Sequence, residues 1–170
     1  MFDSLALVVF PLLMIFAALA DLFTMTIPNR VSLLLIAFYF ALALYLREPA
    51  NIIVMHVSCG VAMLALTFAM YYFRWIGGGD AKLAAATALW LGWGLLYKYG
   101  LIASIAGGVL TLLILELRRH DQLPAKLLSF SFVAKLAEKN GGVPYGIALA
   151  LAGLMVYPQT SLWMGLAGIK

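Results

Sequence analysis

Charge is what this 170-residue sequence has least of. Asp, Glu, Lys and Arg make up 11% of it, hydrophobic residues 65%, and the mean hydropathy is +1.05. A chain of this size has too little polar side chain to cover itself in water. Cysteine is nearly missing: Cys59 stands alone in an apolar run, which excludes an intrachain disulfide and a cysteine-based zinc set. His56 and His120 lie on separate segments, so no metal and no cofactor are expected. The net charge of +4 comes from basic residues scattered near the ends of apolar runs. They form no basic stripe, and nucleic acid is not an expected partner. Lys and Arg are absent before Arg30, so Met1-Phe2-Asp3-Ser4 lacks the basic region of a cleavable targeting peptide. The first apolar run is therefore expected to be retained as a span.

Apolar runs are what the sequence has in abundance. They cover 5–20, 31–46, 52–73, 83–97, 101–117 and 143–157. A helix needs about 20 residues to cross a bilayer core. The expected fold is all-α: a polytopic membrane protein of about six transmembrane helices, one integral membrane domain over 1–170. Pro28 suits the first turn of the second helix, where a missing N–H costs nothing. Lys98-Tyr99-Gly100 is expected to separate the fourth run from the fifth. The fourth, rich in Ala with Gly92 and Gly94, is expected to pack against other helices rather than face lipid. Between 118 and 142 lies the longest polar segment. Residues 125–139, with Leu127, Leu128, Phe132, Val133 and Leu136 among Lys126, Lys135 and Lys139, read either as a helix on the membrane surface or as a solvated loop. Pro158 either ends the last helix or kinks it.

Eight basic residues fall in the odd-numbered loops: Arg30, Arg74, Lys82, Arg118, Arg119, Lys126, Lys135 and Lys139. Three fall on the other side: Arg47, Lys98 and Lys170. The positive-inside rule then sets the odd loops in the cytoplasm and both termini outside.

Against this frame the seven acids can be sorted. Asp3 and Glu48 belong to the outer side, Asp121 and Glu138 to a charged loop, and Glu116 has Arg119 or His120 as a local partner. Asp21 and Asp80 remain. Each has apolar runs on both sides and both share the cytoplasmic boundary, where an ionisable group is costly and marks function by default. Asp80 follows Gly77-Gly78-Gly79, three residues without Cβ that permit positive φ and close backbone approach. It opens a helical run, as an N-cap acceptor would. Two carboxylates brought together share a proton, which is the equipment of an aspartic protease: one takes a proton from water, the other gives one to the peptide carbonyl. No serine has a nucleophile-elbow context. Two other readings stay open. Asp80 with Lys82 or Arg74, and Asp21 with Arg30, would be ordinary ion pairs at helix ends. Alternatively the chain is a non-enzymatic channel, carrier or secretion-system scaffold that uses buried acids for packing or proton relay.

Three segments in this order resemble the type IV prepilin peptidases, membrane aspartic proteases with a Gly-x-Gly-Asp motif. They are Asp21 with Ile27-Pro28-Asn29, Gly77-Gly78-Gly79-Asp80-Ala81-Lys82-Leu83, and Val143-Pro144-Tyr145-Gly146. The resemblance implies Asp21 and Asp80 as catalytic residues. It implies supporting roles for Pro28, Asn29, Gly77, Gly79, Lys82, Pro144, Tyr145 and Gly146. Lys82 would either steady an ionised Asp80 or reach lipid headgroups. Presenilin-like proteases share Gly-x-Gly-Asp but pair it with Tyr-Asp, whereas Ala20 precedes Asp21 here. The short length is similar to that of the protease-only enzymes of tight-adherence (Flp-type) pilus systems, which implies no methyltransferase activity. Expected partners are Flp-type prepilins and pseudopilins with a short basic leader ending in Gly, together with membrane lipid; a homodimer is left open. The expected location is the prokaryotic inner membrane, with the active site at its cytoplasmic face.

Overall fold

The computed structural model describes residues 2–119, 131–138 and 141–168. It is an all-α membrane protein with no strand among the described residues. The helices are α1 (Phe2–Thr24), α2 (Asn29–Tyr45), α3 (Ala50–Tyr72), α4 (Gly78–Arg119), α5 (Ser131–Ala137), α6 (Tyr145–Val156) and α7 (Ser161–Ala167). By length and composition α1, α3 and α4 are each long and apolar enough to cross a membrane, and the bent pair α6 and α7 passes the same test only when its two parts are taken together. α2 is a shorter apolar helix.

The expected break at Lys98-Tyr99-Gly100 does not occur there. α4 breaks at Gly92, with φ 66° and ψ 178°, a region open only to glycine. Without reversal, a helix at 1.5 Å per residue would hold Asp80 and Thr111 about 45 Å apart. Instead both line one cavity, so the chain doubles back at Gly92 into two limbs, 78–91 and 93–119. An α3 residue holds the break. His56 stacks on Tyr39 and bonds through Nδ1 to the Leu89 carbonyl at 2.9 Å. A Cβ on Gly92 would lie 2.9 Å from the same imidazole. Backbone conformation and packing thus both demand glycine.

The first limb is enclosed on nearly every side: Ala81 and all of 83–92 are buried, and Lys82 is exposed. Lipid is as apolar as leucine, so this enclosure rests on close packing and hydrogen bonds rather than on water exclusion. Trp90 Nε1 donates to the Leu35 carbonyl at 2.9 Å, tying the limb to α2, and Thr67 Oγ1 donates to the Ala81 carbonyl at 3.2 Å, tying it to α3. Phe10, Trp90 and Tyr157 form mutually contacting rings at 4.4–5.9 Å between centroids. Such pairs contribute roughly 0.5–1.5 kcal/mol each beyond area burial.

α6 ends at Val156, two residues before Pro158. That proline sits in a 3₁₀ turn (Tyr157–Gln159), after which the chain bends by 55° into α7. Thr160 caps α7 by accepting from the Trp163 amide at 3.1 Å. Of 125–139, the part described includes a helix, α5. Lys135 Nζ donates to the Phe23 carbonyl at 3.1 Å, and Phe132 meets Phe23 edge to face. Arg118 donates to the carbonyls of Leu136 and Gly142, so α5 is fastened across the ends of α1 and α4. Lys126 and Lys139 lie outside the described residues.

Candidate active site

On α1 the buried residues Ala6, Phe10, Met14, Ala17 and Asp21 recur every three or four positions, so Asp21 ends the stripe that faces the interior. It occupies the last turn, where its carbonyl accepts the Met25 amide at 2.8 Å. The residue is 5% exposed, and its Oδ2 accepts the Gly146 amide of α6 at 2.7 Å.

Asp80 is the third residue of α4, not its N-cap. Gly77 holds the cap position, and its carbonyl accepts the Ala81 amide at 3.1 Å. Asp80 Oδ2 reaches back to the Gly77 amide at 3.2 Å, the backward half of a capping box. Its other oxygen, Oδ1, is buried and has no partner among the described residues. Asp21 and Asp80 lie within electrostatic reach of each other. Neither forms an ion pair among the described residues, where Arg119 and Glu116 pair with each other at 3.2 Å. Ion pairing with Arg30, Arg74 or Lys82 therefore does not account for them.

The glycines act through close approach rather than through positive φ. None of Gly77, Gly78 and Gly79 has positive φ; Arg74 takes that conformation instead, at 60°. There the Arg74 and Trp75 amides cap α3 on the carbonyls of Tyr71 and Met70, both at 2.9 Å, in the Schellman pattern. A Cβ on Gly79 would stand 3.0 Å from Ile27 Cβ and 3.3 Å from the Ile27 backbone. A Cβ on Gly146 would stand 2.7 Å from Ile27 Cδ1 and 2.8 Å from Asp21 Oδ2. Ile27 is thus wedged between the two glycine segments and holds α1, α4 and α6 together at the carboxylates.

Pro28 precedes α2 with φ −62°, and Asn29 begins the helix. Lys82 does not bond Asp80; its Nζ donates to Asn29 Oδ1 at 2.8 Å, so the second and first motif segments meet a second time. Pro144 precedes α6. Tyr145 lays its ring over Gly107, where a Cβ would come within 3.4 Å, and its hydroxyl meets Thr111 Oγ1 at 3.2 Å.

Sequence reasoning named Ile27 within the first motif segment but gave it no role, and passed over Gly107 and Thr111. Those two carried no signal, because nothing local distinguishes them from other small residues of an apolar helix.

Asp80 opens into a cavity of ≈ 680 Å³, walled by α3, the second limb of α4 and Tyr145, Ala148 and Leu149 of α6. No group of three or more His, Cys, Asp or Glu that could hold a metal occurs among the described residues. The arrangement is therefore two buried carboxylates without an ion pair among the described residues, one of which, Asp80, lines an apolar cavity. It can exchange a proton with a molecule seated there.

A family model described as "Type IV leader peptidase family" matches residues 8–112, which span both aspartates and Thr111 but not Pro144-Tyr145-Gly146. No curated protein and no solved structure matches the chain.

Proposed function

The chain belongs to the type IV leader peptidase family, and from that premise we propose that it is a membrane-embedded aspartic endopeptidase. Its substrates are pilin precursors, and Asp21 and Asp80 are its catalytic pair. The observation that carries the reading is Asp80 Oδ1: a buried carboxylate oxygen with no partner among the described residues, near a second buried carboxylate, at the edge of a cavity. A structural acid of this kind would waste roughly 1–3 kcal/mol of unmet hydrogen bonding.

Two carboxylates in one low-dielectric site cannot both ionise readily, so the pair carries one proton between them. The ionised member takes a proton from a water molecule as the water oxygen bonds to the peptide carbon. The protonated member gives its proton to the carbonyl oxygen. When the tetrahedral intermediate collapses, one of its hydroxyls returns a proton to the ionised carboxyl, the carbon–nitrogen bond breaks and the departing amine takes the proton held by the other carboxyl, so the pair ends with one proton again. Gly146 and Gly77 each hold one oxygen of their aspartate, which fixes how the two carboxylates face the substrate.

The basic residues at the ends of the helices around this site, Arg30, Arg74, Lys82, Arg118, Arg119 and Lys135, support a cytoplasmic orientation for it. The bond cut is then the one after the Gly of a short basic leader, at the inner membrane, in precursors of the Flp type and related pseudopilins. The chain acts as one integral membrane domain. Co-expression with an Flp-type precursor tests this: a gel shift whose product begins directly after the leader Gly is expected. An unprocessed precursor in cells that accumulate both proteins would contradict it.

A further inference from the structure

The cavity beside Asp80 has one wall that the protein leaves bare. Along the second limb of α4, Gly100, Ser104, Gly108 and Thr111 line it, spaced to share one helix face. Met63, Leu66 and Met70 of α3 line the opposite side. A Cβ added to Gly100 or to Gly108 would meet nothing within 4 Å, so packing inside the chain does not call for glycine at either position. Each glycine nonetheless costs a helix about 1 kcal/mol relative to alanine. In lipid, small residues in such a row let a second backbone come close.

One lining atom points to what comes. Asp80 Oδ1 is buried, at 9% residue exposure, and has no partner among the described residues. A lipid chain would fill the apolar walls but offers this atom nothing to bond. An unwound stretch of peptide offers both N–H and C=O groups.

We propose that this glycine face is the substrate's docking groove. The apolar segment that follows the cleaved bond lies along Gly100, Ser104 and Gly108, between the second limb of α4 and α3. The peptide unwinds where it passes Asp80. The inference rests on the protease reading and adds to it a surface that selects for the apolar segment rather than for the leader.

Two peptides separate the alternatives. Both carry a basic leader ending in Gly. One continues into about twenty apolar residues, enough to span a bilayer; the other stops a few residues after the bond. With the purified full-length protein, Gly108→Leu is expected to lower kcat/KM on the long peptide by roughly tenfold or more, as an obstructed apolar pocket does. Its cleavage of the short peptide should stay as in the unsubstituted protein. Gly94→Leu, which also meets open space but lies outside the cavity, should change neither.

A second variant decides the matter if Gly108→Leu fails to accumulate. Ser104→Cys on an Asp80→Asn background should be labelled by a maleimide more slowly when the long peptide is present, and Cys59 is buried and gives little background. Equal labelling with and without the long peptide, or unimpaired cleavage of it by Gly108→Leu, overturns the groove and leaves the protease standing. If the unsubstituted protein cuts neither peptide, the protease reading falls and takes the groove with it.

Discussion

The Gly146 amide donates to Asp21 Oδ2 at 2.7 Å across 125 residues of sequence, and a Cβ on that glycine would stand 2.8 Å from the same oxygen. Hydrogen bond and close contact are one feature: the amide reaches the carboxylate because nothing projects beside it. Gly146→Ala must push Asp21, Ile27 or α6 aside. Displacing a reacting group by about 1 Å can cost roughly 100-fold in rate, and a loss of that order in kcat/KM is expected. Gly165→Ala, where the added Cβ meets nothing within 4 Å, should cleave a pilin precursor normally.

Gly79 makes the matching contact on α4. Gly79→Val should reduce cleavage strongly with both aspartates present, because the larger side chain meets Ile27 side chain and backbone together. Ile27→Ala clears part of that space. The double variant should recover some activity relative to Gly79→Val, giving a coupling in a double-mutant cycle; strictly additive losses would place the two residues in separate roles.

At the reversal, Gly92 combines a glycine-only backbone with the imidazole of His56 at 2.9 Å from where a Cβ would be. Backbone strain at such a position costs about 1–3 kcal/mol, and the contact adds to it. Gly92→Ala should lower the unfolding temperature of the detergent-solubilised protein and its yield in the membrane. Adding His56→Ala relieves the contact but not the φ angle, so recovery should be partial. An unchanged unfolding temperature in Gly92→Ala would mean that the limb can be built another way.

How far the sequence led can be read from these residues. Apolar runs, and two acids at their ends as candidates, were legible because bilayer thickness and the cost of charge in lipid act on composition alone. The break at Gly92 was not. Gly92, Gly94 and Gly100 look alike in sequence, and what distinguishes Gly92 is a histidine 36 positions earlier that bonds the Leu89 carbonyl. The glycine triplet invited a reading of backbone freedom, yet Arg74 takes the positive φ. The triplet's worth lies in contacts with Ile27 and Asp80, which exist only once α1, α4 and α6 have met.

Lys82 illustrates the same limit. Two residues from Asp80 in sequence, it bonds Asn29 instead, at an exposed position. Lys82→Met should therefore lower kcat/KM by less than about fivefold, the range of an exposed polar pair. The dependence of cleavage on pH should keep its shape: rate falls in acid, where both carboxylates hold protons and no base remains, and in alkali, where neither does and no acid remains. A displaced optimum in Lys82→Met, with Lys82→Arg close to the unsubstituted protein, would instead give Lys82 a direct electrostatic role at the pair.

The pair itself is tested most directly by removing one carboxylate at a time. Acid and base act as a unit, so Asp21→Asn and Asp80→Asn should each abolish pilin maturation, alone as fully as together. Each protein should still accumulate in the membrane, since neither aspartate has an ion-pair partner to strand among the described residues. Processing is read as the precursor's gel shift, with protein levels measured in the same membranes. Loss of processing at normal levels in both variants is the predicted result. Normal maturation by either one would contradict an aspartic protease built on Asp21 and Asp80.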